Sequence, residues 1–283
     1  MPDKLRLNLI LLAIIAALAT FLISTEEKQD SEKKIFISDI AAADIKHISL
    51  KRHGKDDINF VKQQHNWMMT SPYFVRASKY RITAMLKLLH EQSFAQFSRK
   101  ELQLERFKLK PAAVLLHLDD QKFAFGGNNQ IDKHRYVIYR DTVHLINDDL
   151  YPQLTQTAEF FISTKLLPDG LRLSRIQYPA HDLKKEFNKW SSGPTADISP
   201  ETIEKIANAW LDATAMTVRD YQKTGPGNTI TIETEQGQTF RFKIITEDPG
   251  LILARAALGI QYHLGNITSR QLLQGMNSGA LSE

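Results

Sequence analysis

The clearest feature in the pattern of apolar and polar positions lies at the start of the chain. From Leu7 to Ile23, seventeen residues include only Asn8 and Thr20 as polar side chains. A helix of that length rises ~26 Å, close to the ~30 Å hydrocarbon thickness of a bilayer. It is apolar all round, whereas a helix lying on a soluble core shows a polar face. Lys4 and Arg6 precede the run, and Thr25 to Asp30 after it are polar or charged. The pattern predicts a single transmembrane anchor, with Leu7, Leu12, Ile15, Phe21 and Ile23 facing lipid and the N-terminus in the cytoplasm. Ala17-Leu18-Ala19 has the small-x-small form of a cleavage site. Phe21, Leu22 and Ile23 continue the apolar run past it, which favours a retained anchor over a cleaved leader.

Beyond a polar tether over 25–44 the pattern becomes that of strands and two helices. Ile45–Leu50 and Ile58–Lys62 alternate as strands do, and Trp67 and Pro72 follow. Ile82, Met85, Leu86 and Leu89 then fall on one face of a helix predicted over 78–92. Val114–Leu118 and Lys122–Phe125 flank Asp119-Asp120 as a hairpin, and Tyr136–Tyr139 and Val143–Ile146 form another. The second half repeats the order. Leu171–Tyr178 and Leu183–Phe187 precede Trp190, and Ile203, Ile206, Ala207, Trp210 and Leu211 stripe a helix predicted over 200–217. Ser199 is its natural N-cap, with Pro200 at the first helical position. Hairpins at 229–244 and 251–264 complete the match. The expectation is an α+β chain: a leader and transmembrane helix over 1–24, the tether, and two tandem repeats at 45–168 and 169–283. Each repeat is an antiparallel sheet with one main helix. Trp67 and Trp190 occupy matching places and read as packing residues.

Composition narrows the chemistry. With Lys+Arg 36 against Asp+Glu 32, the charge is mixed and does not suit a nucleic-acid binder. Cysteine is absent, which removes disulfides, thiolate metal sites and a cysteine nucleophile. None of the nine histidines has a second histidine within four residues, so no metal site or cofactor is expected. Asp56-Asp57, Asp119-Asp120 and Asp148-Asp149 sit at predicted turns, where adjacent side chains do not converge for acid–base work. Gly225-Pro226-Gly227 leads into a strand and opens no helix, so it is not a phosphate cradle. The pattern therefore names no catalytic residue, and the chain is expected not to be an enzyme. Arg99, Lys100, Arg106, Lys108 and Lys110 form a basic run in the segment that lengthens the first half relative to the second. Its simplest reading is a solvated connector. Its functional reading is contact with anionic headgroups or an acidic partner.

Several of these positions carry a resemblance. Trp67 then Pro72, a helix, Phe107-x-Leu109-x-Pro111, Phe125-Gly126-Gly127, Arg135-Tyr136-Val137, and Leu145-Ile146 before Tyr151 together resemble the bacterial family of unknown function numbered forty-three forty. The resemblance implies a single-pass inner-membrane protein with a periplasmic body, often encoded beside ABC-type export permeases. It implies an accessory or scaffold subunit of an export or envelope assembly with a protein partner, and it supplies no catalytic residues. The competing expectation is a periplasmic module that binds a glycan, lipid or peptide between the repeats.

Overall fold

The structure is a computed structural model that describes residues 12–20, 34–194, 198–221 and 225–277, and the side chains of all these except 275–277. Residues 12–20 form helix α1. Leu7, Phe21 and Ile23 of the predicted anchor lie outside the described residues. Leu12 and Ile15 lie on α1 and are 68% and 58% exposed. No helix among the described residues is long and apolar enough to cross a membrane.

Two antiparallel sheets make the body. The first contains β1 (His47–Arg52), β2 (Lys55–Gln63), β3 (Asn66–Ser71), β4 (Val75–Arg76), β5 (Ala95–Ser98), β6 (Val114–Leu118), β7 (Gln121–Asn128), β8 (Arg135–Tyr139) and β9 (Thr142–Ile146). Its order is β4-β3-β2-β1-β6-β7-β8-β9-β5. The second contains β10 (Leu173–Gln177), β11 (Asp182–Glu186), β12 (Lys189–Ser192), β13 (Thr217–Asp220), β14 (Thr229–Thr234), β15 (Thr239–Thr246), β16 (Ile252–Arg255) and β17 (Ile260–His263). Its order, β12-β11-β10-β14-β15-β16-β17-β13, repeats the first without the short β4. Trp67 pairs with Lys62 and Trp190 with Lys185, each one residue past a two-residue hairpin loop. Trp190 is buried, while Trp67 is only half-buried at the margin of the core.

Helices α2 (Lys79–Lys87), α3 (Tyr151–Leu154), α4 (Pro200–Asp212) and α5 (Asn266–Asn277) complete the chain. The helix expected over 78–92 ends as α2 and a 3-10 turn at Leu88–His90. That expected over 200–217 stops at Asp212, because Thr214 bridges Lys165 and the Ala215 amide donates to the Thr164 carbonyl at 2.9 Å. The predicted cap is present: the Thr202 amide donates to Ser199 Oγ at 3.3 Å. The second half holds a further helix, α5, where one main helix was expected. Trp210 Nε1 donates to Tyr178, whose hydroxyl donates to the Leu272 carbonyl, both at 2.9 Å, tying α4 and α5 to the end of β10. One apolar core runs through both halves, and Leu166 and Leu167 belong to it at the junction.

Candidate functional site

A concavity of about 1170 Å³ lies where the halves meet. Its floor is the end of the second sheet, with Ile252, Gln261 and His263 from β16 and β17. Its opposite wall is Tyr80 and Arg81 at the start of α2 and Phe160 in the 3-10 turn Ala158–Phe161. Short local structure sets this wall. Thr157 has extended backbone, the turn buries Ala158 and Phe161, and Phe160 is left facing the groove. The Arg81 guanidinium stacks 3.8 Å above the Phe160 ring, a cation–π contact that holds both side chains. Tyr80 and Met216 at the rim are 71% and 74% exposed.

Beside the groove, one phenol joins both halves. The Tyr73 hydroxyl, between β3 and β4, contacts Glu159 and, at 3.0 Å, Asp220 Oδ1 at the end of β13. A phenol has one hydrogen, so it cannot donate fully to two carboxylates. Burial, then the Glu159 and Asp220 carboxylates, push the Tyr73 hydroxyl well above the usual phenol range. It therefore stays protonated and acts as a donor, not as a base. Burial alone would push the Glu159 carboxyl up. Hydrogen bonds from Thr157, Tyr73 and its own backbone, with the Arg52 charge, outweigh that and hold it below the carboxylate range. Burial and then Arg219 hold His263 below the usual imidazole range. With Gln261 Nε2 3.1 Å away, the neutral ring accepts at Nε2. The groove thus offers an aromatic–guanidinium wall, carboxylate acceptors and amide donors, an arrangement suited to holding a ligand. Among the described residues, no group of three or more His, Asp or Glu could hold a metal ion.

The structure divides the predicted basic run. Its five cations are all exposed. The Arg99 amide donates to the Asp141 carbonyl, which puts Arg99 and Lys100 at the β8–β9 turn. The segment then crosses the sheet to its other end, where Lys108 lies against Gly127. Lys110 pairs with Glu105 at 3.5 Å, near the path of Arg106. The connector is not merely solvated, because its apolar residues make a second core. Leu102, Leu104, Phe107 and Leu109 pack on Ala124, Ile138 and Val143, on the face of the sheet away from α2.

This packing explains the motif residues. A Cβ on Gly126 would lie 2.5 Å from the Phe107 carbonyl oxygen and 2.7 Å from Leu109, so only glycine lets the connector approach. The Gly127 amide donates to that same carbonyl at 2.8 Å. Arg135 is buried, reaches the Gly126 carbonyl, binds both oxygens of Asp148 and lies 3.5 Å above the Tyr151 ring. The Phe107 and Tyr136 rings are 4.6 Å apart. Phe107, Leu109, Gly126, Arg135, Tyr136 and Tyr151 of the motif therefore form one packed constellation. Asp119 accepts from the amides of Lys46 and His47 and so anchors the β6–β7 turn. His144 is buried against Ser93 Oγ at 3.0 Å.

The groove residues were not singled out from the sequence. Tyr73 and Asp220 are 147 positions apart, and no spacing rule links them. With the geometry in view, the comparisons are brief. The family model described as Domain of unknown function (DUF4340) matches residues 67–178. The match runs from Trp67 in β3 to Tyr178 just past β10, so the resemblance carried by the motif is shown over that stretch. No curated protein and no solved structure matches the chain.

Proposed function

We propose that the chain is a non-enzymatic, single-pass protein of the bacterial inner membrane. Its two sheets are copies of one duplicated unit, projecting into the periplasm as a scaffold or accessory subunit of an ABC-type export or envelope assembly. The observation that carries this reading is the apolar run Leu7–Ile23. Where α1 is described, Leu12, Ile14, Ile15 and Leu18 are each more than half exposed, which leaves most of that apolar surface to be covered by something outside the body. The shared strand order supports duplication, and the envelope setting is what the resemblance carried by the motif implies. The test is alkaline extraction of cell membranes followed by purification in mild detergent. Retention of the full-length chain together with a permease supports the proposal. A soluble chain beginning near Thr20 overturns it. Leu12→Arg should weaken insertion by ~2.5–3.5 kcal/mol if it sits at mid-bilayer.

The groove favours a second reading, a module that binds a glycan, lipid or peptide. Its Tyr80, Phe160 and Arg81 wall is the specific observation. Detergent-purified protein carrying a small molecule that is lost in Phe160→Ala would favour it over the scaffold.

A further inference from the structure

The end of the first sheet where the chain enters the body gathers large apolar side chains in the open. Ile35 and Phe36 are 51% and 50% exposed, Phe94 is 45% exposed, and Ile131 is 94% exposed. Backbone and ring contacts bring them to one place. The Ser93 amide donates to the Ile35 carbonyl at 2.7 Å, and Phe36 bridges Gln92. Phe94 stacks on His134 with ring centroids 4.0 Å apart. The Asn129 amide donates to the His134 carbonyl at 2.6 Å, closing the loop whose tip carries Ile131.

This arrangement is local and firm. Ile37 next door is buried, so Ile35 and Phe36 are held on the surface by a residue anchored in the core. Burying four such side chains inside the protein would have been favourable, and an exposed cluster of this kind marks a contact surface. Exposed Lys34 adjoins Ile35, exposed Lys133 shares the loop of Ile131, and exposed Lys108 lies against Gly127 near the base of that loop. Carboxylates lie on the same end of the sheet: Asp148 is bound by Arg135, Asp132 lies 3.2 Å from His134, Glu91 accepts from Asn147 at 3.3 Å, and exposed Asp149 acts on Glu91.

We propose that this end of the first sheet rests on the bilayer, with Ile35, Phe36, Phe94 and Ile131 in the interfacial zone and the three lysines at the headgroups. The inference rests on the anchor proposed above. Lys34 follows Ile23 by eleven residues, a reach of at most ~40 Å, so this end of the body is bound to stay near the membrane that holds the anchor. Apolar side chains with lysines beside them match the layered chemistry of an interface, apolar inside and anionic at the headgroups. The chain is thereby held at two places, and the groove between the halves keeps a fixed bearing on the membrane.

The experiment uses the full-length chain, which has no native cysteine, in vesicles of phosphatidylcholine with or without phosphatidylglycerol. Single variants Ile131→Cys and Phe36→Cys carry an environment-sensitive fluorophore. Phe187→Cys, on the fully exposed β11–β12 turn, is the control. The expected result is a blue shift and a gain in emission at Ile131→Cys and Phe36→Cys, quenching by headgroup-labelled lipid, and no change at the control. The shift should be larger with phosphatidylglycerol, and that increment should shrink with salt. A chain that survives alkaline washing while all three probes stay aqueous overturns the resting face and leaves the anchor standing. A chain washed off the vesicles overturns both. A shift that grows with protein density at fixed lipid overturns the inference in favour of contact between copies.

Discussion

In the first sheet, the side chains pointing away from α2 include Leu115, Ala124, Tyr136, Ile138 and Val143, and the β5–β6 connector covers them. In the second, the ladder partners Thr229–Lys243, Thr231–Arg241 and Glu233–Thr239 occupy the face away from α4, and ion pairs lie across it, Arg175 with Asp182 at 2.6 Å and with Glu233 at 3.5 Å. The strand order is shared, yet over β6–β9 the first sheet is dry on both faces, while the second is wet on one. Following the ladders from each tryptophan sets Leu116–Phe123 beside Ile230–Phe242. The outward Ala124 is thus matched by Lys243. An alternating strand needs one cover and a continuously apolar strand needs two. The connector of the first half is the second cover, and its basic residues are the solvent side of that cover.

The two tryptophans give the largest expected contrast. Trp190 is 8% exposed, so Trp190→Ala should cost ~3–5 kcal/mol, while half-buried Trp67 should cost less, ~1–3 kcal/mol. Urea unfolding of the two variants measures both. Equal losses would mean that the margin of the first sheet is tighter than its exposure indicates.

The cover itself is tested next. Leu109 is 4% exposed beneath the connector, and Leu109→Ala should cost ~2–4 kcal/mol. Arg241→Ala on the open face of the second sheet should stay within ~0.5 kcal/mol. A neutral Leu109→Ala would reduce the connector to the solvated loop that its charges suggest.

Acid should separate one matched position of the two sheets as well. Burial holds the His144 imidazole down to about 4. The unfolded chain takes up its proton below pH ~6.5, so stability should fall between pH ~6.5 and ~4, by up to roughly 3 kcal/mol, and level off below. The same ladder reading puts Tyr262 opposite Leu253 where His144 stands opposite Val137. Burial raises the Tyr262 hydroxyl, so this position adds no loss in acid. Denaturant titrations at pH 7, 5.5 and 4 should show the loss in the parent and a flatter profile in His144→Gln.

Much of this contrast was legible in the residues. The Thr-Ile-Thr-Ile-Glu-Thr of β14 is a one-faced strand, and its partner β15 was placed correctly except for its end. Phe123-Ala124-Phe125 and Tyr136-Val137-Ile138-Tyr139 are two-faced, and Leu102, Leu104, Phe107 and Leu109 are spaced to cover them. The charges between those residues drew the reading toward solvent. Edge strands β5 and β13, four residues each, have too short a period to detect. The β3 and β12 strands follow two-residue loops whose Gln64, Phe187 and Asn188 adopt positive φ, a conformation that their residue types do not announce. The groove was invisible for a different reason. Tyr73, Glu159 and Asp220 meet only because the linker between the halves, at 163–166, pairs with 213–215 just before β13.

The smallest effect isolates the reason for one motif residue. A Cβ on Gly126 would stand 2.5 Å from the Phe107 carbonyl oxygen, a backbone atom fixed by its bond to the Gly127 amide. Relief requires moving the connector, so Gly126→Ala should cost ~1–3 kcal/mol, in the range of other overpacked sites. Gly193, next to β12, is the matched control. A Cβ there would meet only the Asp182 carbonyl oxygen at 3.7 Å, an ordinary contact, and the second sheet has no connector to displace. Gly193→Ala should be neutral, or stabilising by a few tenths of a kcal/mol through the unfolded chain. Amide hydrogen exchange distinguishes local strain from a global loss of stability, because displacement of the connector exposes the Gly127 amide while leaving the β14–β15 ladder protected. If Gly126→Ala and Gly193→Ala behave alike, close approach is not why glycine stands at Gly126, and the pairing of Phe107-x-Leu109 with Gly126-Gly127 loses its physical basis.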